Sequence, residues 1–403
     1  MIWRAPTRAV SETGALRLAT QSAPLKRRDN LVMNDVDLRN LAGYVLWAAF
    51  GLAVVFGALA QRTRFCTMGA IADVVNMGDW TRVRMWTLAI AIATFGFNFM
   101  VGLGWIEARQ SIYAGTRLLW LSSVVGGILF GFGMVLASGC GSKNLVRLGG
   151  GSLKALVTVL VLGVAAFATM RGVTAVLRVN SVESIYLDLP TGQDLPSLWS
   201  ASTGVATPML AVAIGAAVAL LLVAWVLSRP EGRSLEVWLG GAGIGTVVAA
   251  TWWVSGRMGY VPEDPNTLEP AFLSTNSRRM ESLSMVAPVG YTLDWLLFFS
   301  DKAKVLTLGI VSVIGVAVGA FAASITDRSF RWEGFGNVED LANHLVGAVL
   351  MGVGGVVAMG CTIGQGVSGV STLSLGSLLA LAAIVGGAVL ALRYQAWRLD
   401  RMI

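Results

Sequence analysis

"GGILFGFGMVLASGC", residues 126–140, and "GAVLMGVGGVVAMGC", residues 347–361, align without gaps and are identical at eight of fifteen positions. The identities include Gly126 with Gly347, Gly131 with Gly352, Gly133 with Gly354, Gly139 with Gly360, and Cys140 with Cys361. Glycine-rich membrane helices match one another by chance, because small residues serve close helix packing. A shared terminal Gly-Cys goes beyond that and points to internal duplication. Each run is apolar and long enough, with its flanks, to cross a bilayer, for which about 20 residues suffice.

Working outward, nine apolar blocks lie at roughly 41–60, 83–105, 118–138, 152–171, 206–227, 235–254, 304–325, 341–359 and 373–392. In hydrocarbon the backbone must satisfy its own hydrogen bonds, so blocks of this length are expected as helices. The repeated segments close the third and eighth blocks. Five crossings separate them, so the two copies are expected to run in opposite directions, as an inverted repeat. In transporters built that way the binding site lies near the midplane, formed by broken helices. The expected fold is therefore all-α: a polytopic membrane bundle of about nine helices with inverted repeats and short re-entrant helices. The first repeat is expected at about 41–172 and the second at about 296–395 of one membrane domain, 41–395, followed by a short tail, 396–403. A weaker echo links "GALAQRTRFC", residues 57–66, with "GAFAASITDRSFR", residues 319–331, and sets Arg331 near the place of Cys66.

Composition agrees. Of 403 residues 55% are apolar and only 13% are charged, against roughly 25% charged in an average soluble domain. The 30 Lys and Arg against 23 Asp and Glu give a net charge of +7. The basic residues sit between apolar blocks, as at Arg62, Arg64, Arg82 and Arg84 or Lys143, Arg147 and Lys154, where they orient helices. No nucleic-acid partner is expected. If nine crossings hold, most short-loop basic residues share one face with the C-terminus, which is then expected to be cytoplasmic. Residues 1–40 are charged throughout and lack a signal-peptide run, so they read as a polar tail. The stretches 172–203 and 255–295 are too polar to span, and an interfacial helix is expected around "LEPAFLSTNSRRMESL", 268–283.

Cys66, Cys140 and Cys361 are the three cysteines, widely spread and with no C-x-x-C pair, which excludes a disulfide framework. A membrane cysteine taken alone is a small apolar filler. These three stand at the polar ends of helices, and two are related by the repeat. After Cys140 the chain reads "GSKNLVRLGGG" and after Cys361 "TIGQGVSGVSTLSLGS". Each is expected to turn back as a loop and short helix, offering backbone N–H groups and a positive helix end to an anion. Soft sulfur suits a soft sulfur ligand or a soft metal. No metal or cofactor is expected, since His344 is the only imidazole and no close ligand pair exists. Arg64, Lys143 and Arg147 are candidates for drawing an anion to the mouth of the path. A cysteine at a helix end can also act as a nucleophile, but no nearby base is visible. "GGAGIG" at 240–245 sits in an apolar block and reads as packing.

At "QRTRFCTMGAIADV", "ASGCGSKNLVRLGGGSLKAL" and "MGCTIGQGVSGVSTLSLGSLLAL" the chain resembles the YeeE/YedE family of sulfur-transport membrane proteins, over most of residues 41–395. That resemblance implies thiosulfate uptake across the bacterial cytoplasmic (inner) membrane through a compact bundle narrowed at the middle. It implies that thiosulfate passes along Cys66, Cys140 and Cys361 by hydrogen bonds to sulfur, without covalent transfer. It also implies a small cytoplasmic sulfur-carrier partner of the TusA type. Two alternatives stand beside it: transport of another sulfur or selenium oxyanion, and a membrane-bound sulfur-transfer protein using cysteine persulfides.

Overall fold

The computed structural model describes residues 35–401 apart from 265–267, so most of the expected tail, residues 1–34, lies outside the described residues. Fourteen α-helices follow in chain order: α1 Asp35–Arg62, α2 Thr67–Met77, α3 Thr81–Gly102, α4 Trp120–Leu136, α5 Gly141–Gly149, α6 Leu153–Arg171, α7 Val173–Asn180, α8 Leu195–Thr203, α9 Thr207–Leu227, α10 Leu235–Trp253, α11 Val286–Leu297, α12 Leu308–Thr326, α13 Val338–Val357 and α14 Leu375–Asp400. Among the described residues nine helical stretches are long and apolar enough to cross a membrane, and they coincide with the nine apolar blocks. The fold is an all-α polytopic membrane bundle. Its last helix runs to Asp400, past the expected start of the tail at 396.

Glycine sets how closely the helices approach. A Cβ on Gly126 would lie 2.7 Å from Gly354 O, and one on Gly347 would lie 2.6 Å from Gly133 O. Gly126 is the repeat equivalent of Gly347, and Gly133 of Gly354. The α4–α13 contact is thus antiparallel and self-complementary, as two copies related by a two-fold axis require. The outer contacts match as well. A Cβ on Gly131 would meet Ile384 O and Ala388 N of α14, and one on Gly352 would meet Leu162 O and Ala166 N of α6. The remaining helices continue the pattern: α1 packs on α12 as α10 packs on α3, and α2 packs on α3 and α14 as α11 packs on α12 and α6.

This pattern corrects the weaker echo. Residues 57–66 and 319–331 are not equivalent positions of the two copies, because α1 corresponds to α10 and α3 to α12. They face each other across one interface. A Cβ on Gly57 would stand 2.2 Å from Val316 O, and one on Gly319 would stand 2.0 Å from Val54 O. The shared Gly-Ala pattern is two sides of the same close contact. The "GGAGIG" run packs as expected: Gly241 lies against Met85 O and Gly245 against Ala89 O.

The polar stretch 172–203 carries the short helices α7 and α8, with Leu187–Asp188 paired antiparallel to Arg117–Leu118. The interfacial helix expected around 268–283 is absent. Ala271–Phe272 pairs with Tyr260–Val261, and Ser274 and Arg278 take left-handed backbone conformations that no helix admits. Met280, Ser282 and Leu283 are buried, so the segment is threaded into the bundle as extended chain.

The glycine contacts generate a prediction. Gly131→Ala places a methyl 2.1 Å from the Ile384 carbonyl; overpacking of this kind costs about 1–3 kcal/mol, more than the roughly 0.5–1 kcal/mol that alanine adds to a helix. The variant should melt several degrees below the parent in detergent. Gly386→Ala, on a residue with nothing within 4 Å of its would-be Cβ, should melt no lower.

Candidate functional site

Five helices stop in the same way, α3 at Gly104 and α12 at Arg328 among them, and three of the stops deliver a cysteine. α1, α4 and α13 end on residues in the left-handed conformation, Arg64 (φ 51°), Ser138 (φ 53°) and Met359 (φ 58°). The following N–H reaches back five residues: Phe65 to Ala60 O at 3.2 Å, Gly139 to Met134 O at 2.8 Å, and Gly360 to Gly355 O at 2.8 Å. This is the long bond of a Schellman ending, which satisfies a carbonyl that a cut helix leaves open. The next residue is Cys66, Cys140 or Cys361. Sequence analysis expected a loop and short helix after Cys140 and Cys361; α5 and the π-helical turn Gly364–Gly369 stand there, and α2, which was not expected, follows Cys66.

Each sulfur then faces the start of the next helical segment. Cys66, in extended conformation, caps α2 and accepts from the Gly69 N–H at 3.3 Å. Cys361 Sγ accepts from the Gly364 N–H at 3.4 Å, at the head of a π-helical turn, Gly364–Gly369. Cys140 precedes α5, with its Sγ 3.2 Å from Ser142 Oγ. Asn144 braces this bend by donating to the carbonyls of Gly139 at 2.9 Å and Cys140 at 3.1 Å. All three thiols are free.

Burial sets one apart from the other two: Cys66 is partly exposed, while Cys140 and Cys361 are 1% and 0% exposed. Cys66 opens into a vestibule of about 670 Å³ whose wall includes Arg64, Arg82, Lys143, Arg147 and Arg331. On the other side Met359 and Gly360, just before Cys361, line a cavity of about 390 Å³ that also borders Ser284 and Arg279. Of the three predicted cysteines, Cys66 borders the vestibule, and Cys361 directly follows the Met359 and Gly360 that line the opposite cavity.

The three basic candidates separate. Arg64 and Lys143 line the vestibule together with Cys66. Arg147 is tied to Glu333 at 3.3 Å. Glu333 is partly desolvated, which raises its pKa, yet Arg147 and Lys154 together hold the carboxyl below its usual range. Arg62 and Arg82 are likewise engaged, with Asp327 at 3.1 Å and Asp73 at 3.3 Å. Among the described residues no group of three or more His, Cys, Asp or Glu side chains is placed to hold a metal ion.

Sequence reasoning missed two features. Met285, fully buried, stands immediately before α11 as Cys66 stands immediately before α2, the place in the second copy that Cys66 holds in the first, but its side chain makes no capping hydrogen bond. Its Cβ is 3.9 Å from the point where a Gly141 Cβ would lie, beside Cys140. No sequence likeness between 60–77 and 280–297 signals this. The other is a set of buried hydroxyls without partners near the cysteines: Thr67, Thr362 and Tyr113. A threonine following Cys66 and another following Cys361 was the available signal.

Comparison with known proteins bears on what this arrangement carries. A family model described as Sulphur transport matches residues 62–390. The chain is 27% identical over 321 residues to the thiosulfate transporter TsuA of Escherichia coli, covering 77% of this chain and 84% of that one. It is 26% identical over 351 residues to the thiosulfate transporter TsuA of Spirochaeta thermophila, covering 83% and 94%. A shorter match, 28% identical over 157 residues and 36% of each chain, is to the probable transporter YedE of Escherichia coli.

The vestibule can be tested by labelling. An anionic methanethiosulfonate reagent should modify Cys66 faster than a cationic one of similar size, by on the order of tenfold at low salt, and the ratio should fall as salt is added. Lys143→Gln should cut that ratio several-fold. Arg147→Gln should change it less, because Glu333 already offsets that charge.

Proposed function

The chain belongs to the sulphur transport family, and on that premise we propose that it takes up thiosulfate across the bacterial cytoplasmic membrane along Cys361, Cys140 and Cys66. The observation that carries the reading is the set of three free thiols, each beside a helix break, with a basic vestibule at Cys66 and a cavity beside Cys361.

Removing an anion from water is costly, and in a low-dielectric interior the cost must be offset by groups that face it. Full positive charges along the path would hold the ion too strongly. Conduction instead needs sites that are favourable enough to enter and weak enough to leave. Thiols meet that condition, since S–H is a weak donor and sulfur is polarizable. The anion is handed from one S–H to the next by hydrogen bonds, and no S–S bond forms. Peptide N–H groups at the short helix starts, Gly69 and Gly364, add partial positive charge beside the sulfurs.

Direction follows from charge. The vestibule face carries Arg64, Lys143 and the other short-loop basic residues, so it is the cytoplasmic face. Arg398 near the end of α14 pairs with Glu339 at the start of α13 at 2.8 Å, which brings the C-terminus to that same face. Thiosulfate therefore enters at Cys361 and leaves past Cys66, where Arg64 and Lys143 lower its potential. A TusA-like sulfur carrier would meet it at the vestibule. The two repeats that build the path take in α10 as the partner of α1, so the second copy reaches back beyond residue 296.

Purified protein in liposomes should accumulate thiosulfate labelled on both sulfurs with the label intact. Cys140→Ser and Cys361→Ser should reduce uptake to background while the variants still fold and insert. Uptake retained in both would overturn the relay. Mass spectrometry finding a cysteine persulfide during turnover, with the two labels separated, would replace it with covalent sulfur transfer.

A further inference from the structure

Arg84 lies one turn into α3 and is only 7% exposed, yet among the described residues it has no carboxylate within ion-pair reach, whereas its neighbour Arg82 is paired with Asp73. Its Nη1 donates to the carbonyls of Trp225 at 2.7 Å and Val226 at 3.2 Å and to Ser228 Oγ at 3.4 Å, and the guanidinium lies 4.6 Å from the centre of the Trp225 ring. These contacts cap the end of α9, where a helix leaves carbonyls open. They use one nitrogen of three and bring no negative charge. A buried cation without a counter-ion is costly, and an anion facing it lowers that cost.

Arg84 borders a cavity of about 590 Å³ between the α2–α3 turn and the α9–α10 turn. Trp80 and Trp225 stand at it, packed edge to face at 6.2 Å, and tryptophans collect where a membrane meets water. The cavity is on the vestibule's side of the membrane, since α3 starts here and Arg82, in its first turn, lines the vestibule. Three further charged residues border it. Asp79 is occupied, accepting from the Thr81 N–H at 2.9 Å and the Thr81 hydroxyl at 2.7 Å. Arg229 and Glu231 are exposed and form no ion pair among the described residues. Two guanidinium groups and one free carboxylate therefore face a space at the bilayer edge. Guanidinium groups grip phosphate oxygens, and a carboxylate suits a primary ammonium. An aminophospholipid carries both on one short headgroup.

We propose that this cavity holds the headgroup of an aminophospholipid, phosphatidylethanolamine, with its phosphate on Arg84 and Arg229 and its ammonium on Glu231. The acyl chains then run along α9, where Leu221, one turn before Trp225, is 71% exposed. The lipid ties α9 to α3 at this end. That helix gains from the tie, because along its length only Ala211, Gly215, Ala219 and Val226 are buried. Phosphatidylglycerol offers Glu231 no cation, and phosphatidylcholine offers it no N–H donor, so both fit less well. The binding is independent of what the cysteine path carries.

The test uses the full chain purified in detergent, with phosphatidylethanolamine, phosphatidylglycerol, phosphatidylcholine and inorganic phosphate as probes. Native mass spectrometry of the parent should show one phosphatidylethanolamine retained per chain after partial delipidation. Returning that lipid to fully delipidated protein should raise its melting temperature by several degrees, as a ligand of the folded state does. The other two lipids should raise it less, and inorganic phosphate not at all. Arg229→Gln and Glu231→Gln change exposed side chains and should fold. The first should weaken phosphatidylethanolamine binding by about fivefold or more, in line with a lost charge-assisted bond to phosphate. The second should bring the preference over phosphatidylglycerol close to parity. Equal stabilisation by all three lipids, or variants that keep the parent's affinity and preference, would sink the site. A shift with inorganic phosphate equal to that with lipid would assign the cavity to a soluble anion and overturn the lipid.

Discussion

A backbone N–H or C=O left open inside an apolar bundle costs several kcal/mol, and that constraint governs this structure. A continuous helix avoids the cost, but it offers no polar group to a substrate. Interrupting a helix creates such groups and must satisfy them at once. Here three interruptions solve the problem alike: the chain turns through Arg64, Ser138 or Met359 in left-handed conformation, and the next N–H returns to a carbonyl five residues back. In these three the residue after that N–H is the cysteine, whereas α3 and α12 end in the same way with Ile106 and Phe330 there. The cysteine side chain therefore points at the start of a new helical segment, where unpaired N–H groups are available. The thiol positions are a consequence of how the helices are cut.

Cutting helices weakens a bundle unless the remaining contacts are close. The glycine faces supply them. Gly126 and Gly133 on α4 meet Gly354 and Gly347 on α13 at backbone distance, and the same residues, as repeat equivalents, form both halves of the contact. Because the two helices run antiparallel about a two-fold, their ends lie on opposite faces. Cys140 and Cys361 therefore extend from opposite directions into one interior. Duplication of one cysteine-ended helix is enough to place two thiols in series.

Much of this could be read from residues alone, and the exceptions have physical causes. The nine spans were legible because hydrophobic length is a direct demand of the bilayer. The repeat was legible at α4 and α13 because close packing permits little besides glycine, so both copies kept it. It was not legible between α1 and α10, although they pack on equivalent helices, because the glycines that make the close contact, Gly57 in one and Gly241 and Gly245 in the other, fall in unlike runs of sequence. There a chance likeness between Gly57 and Gly319 suggested equivalence, although the two residues are in fact neighbours across an interface. The segment 268–283 misled for a related reason: its apolar residues are spaced loosely enough for a surface helix, yet Met280 and Leu283 are buried as extended chain. Among the basic candidates, charge alone could not separate Arg147 from Lys143, because the separation depends on Glu333, which is 186 residues away in sequence.

Perfect two-fold symmetry would give the path identical mouths, and this path does not have them. Ser138 lines the vestibule, while its equivalent Met359 lines the opposite cavities. Cys66 caps α2 at the vestibule, while a thioether, Met285, stands before the corresponding α11 and makes no capping bond. A thioether accepts weakly and donates nothing, so a third S–H is available on one side only. The vestibule gathers Arg64, Lys143 and Arg331, whereas the opposite cavities are bordered by Arg279, Arg117 and Arg178. The two-fold builds a path with equivalent centres, and these substitutions at its ends make it polar. On the proposed uptake reading, an anion that moved from Cys361 toward Cys66 would end at the mouth with the larger number of basic side chains.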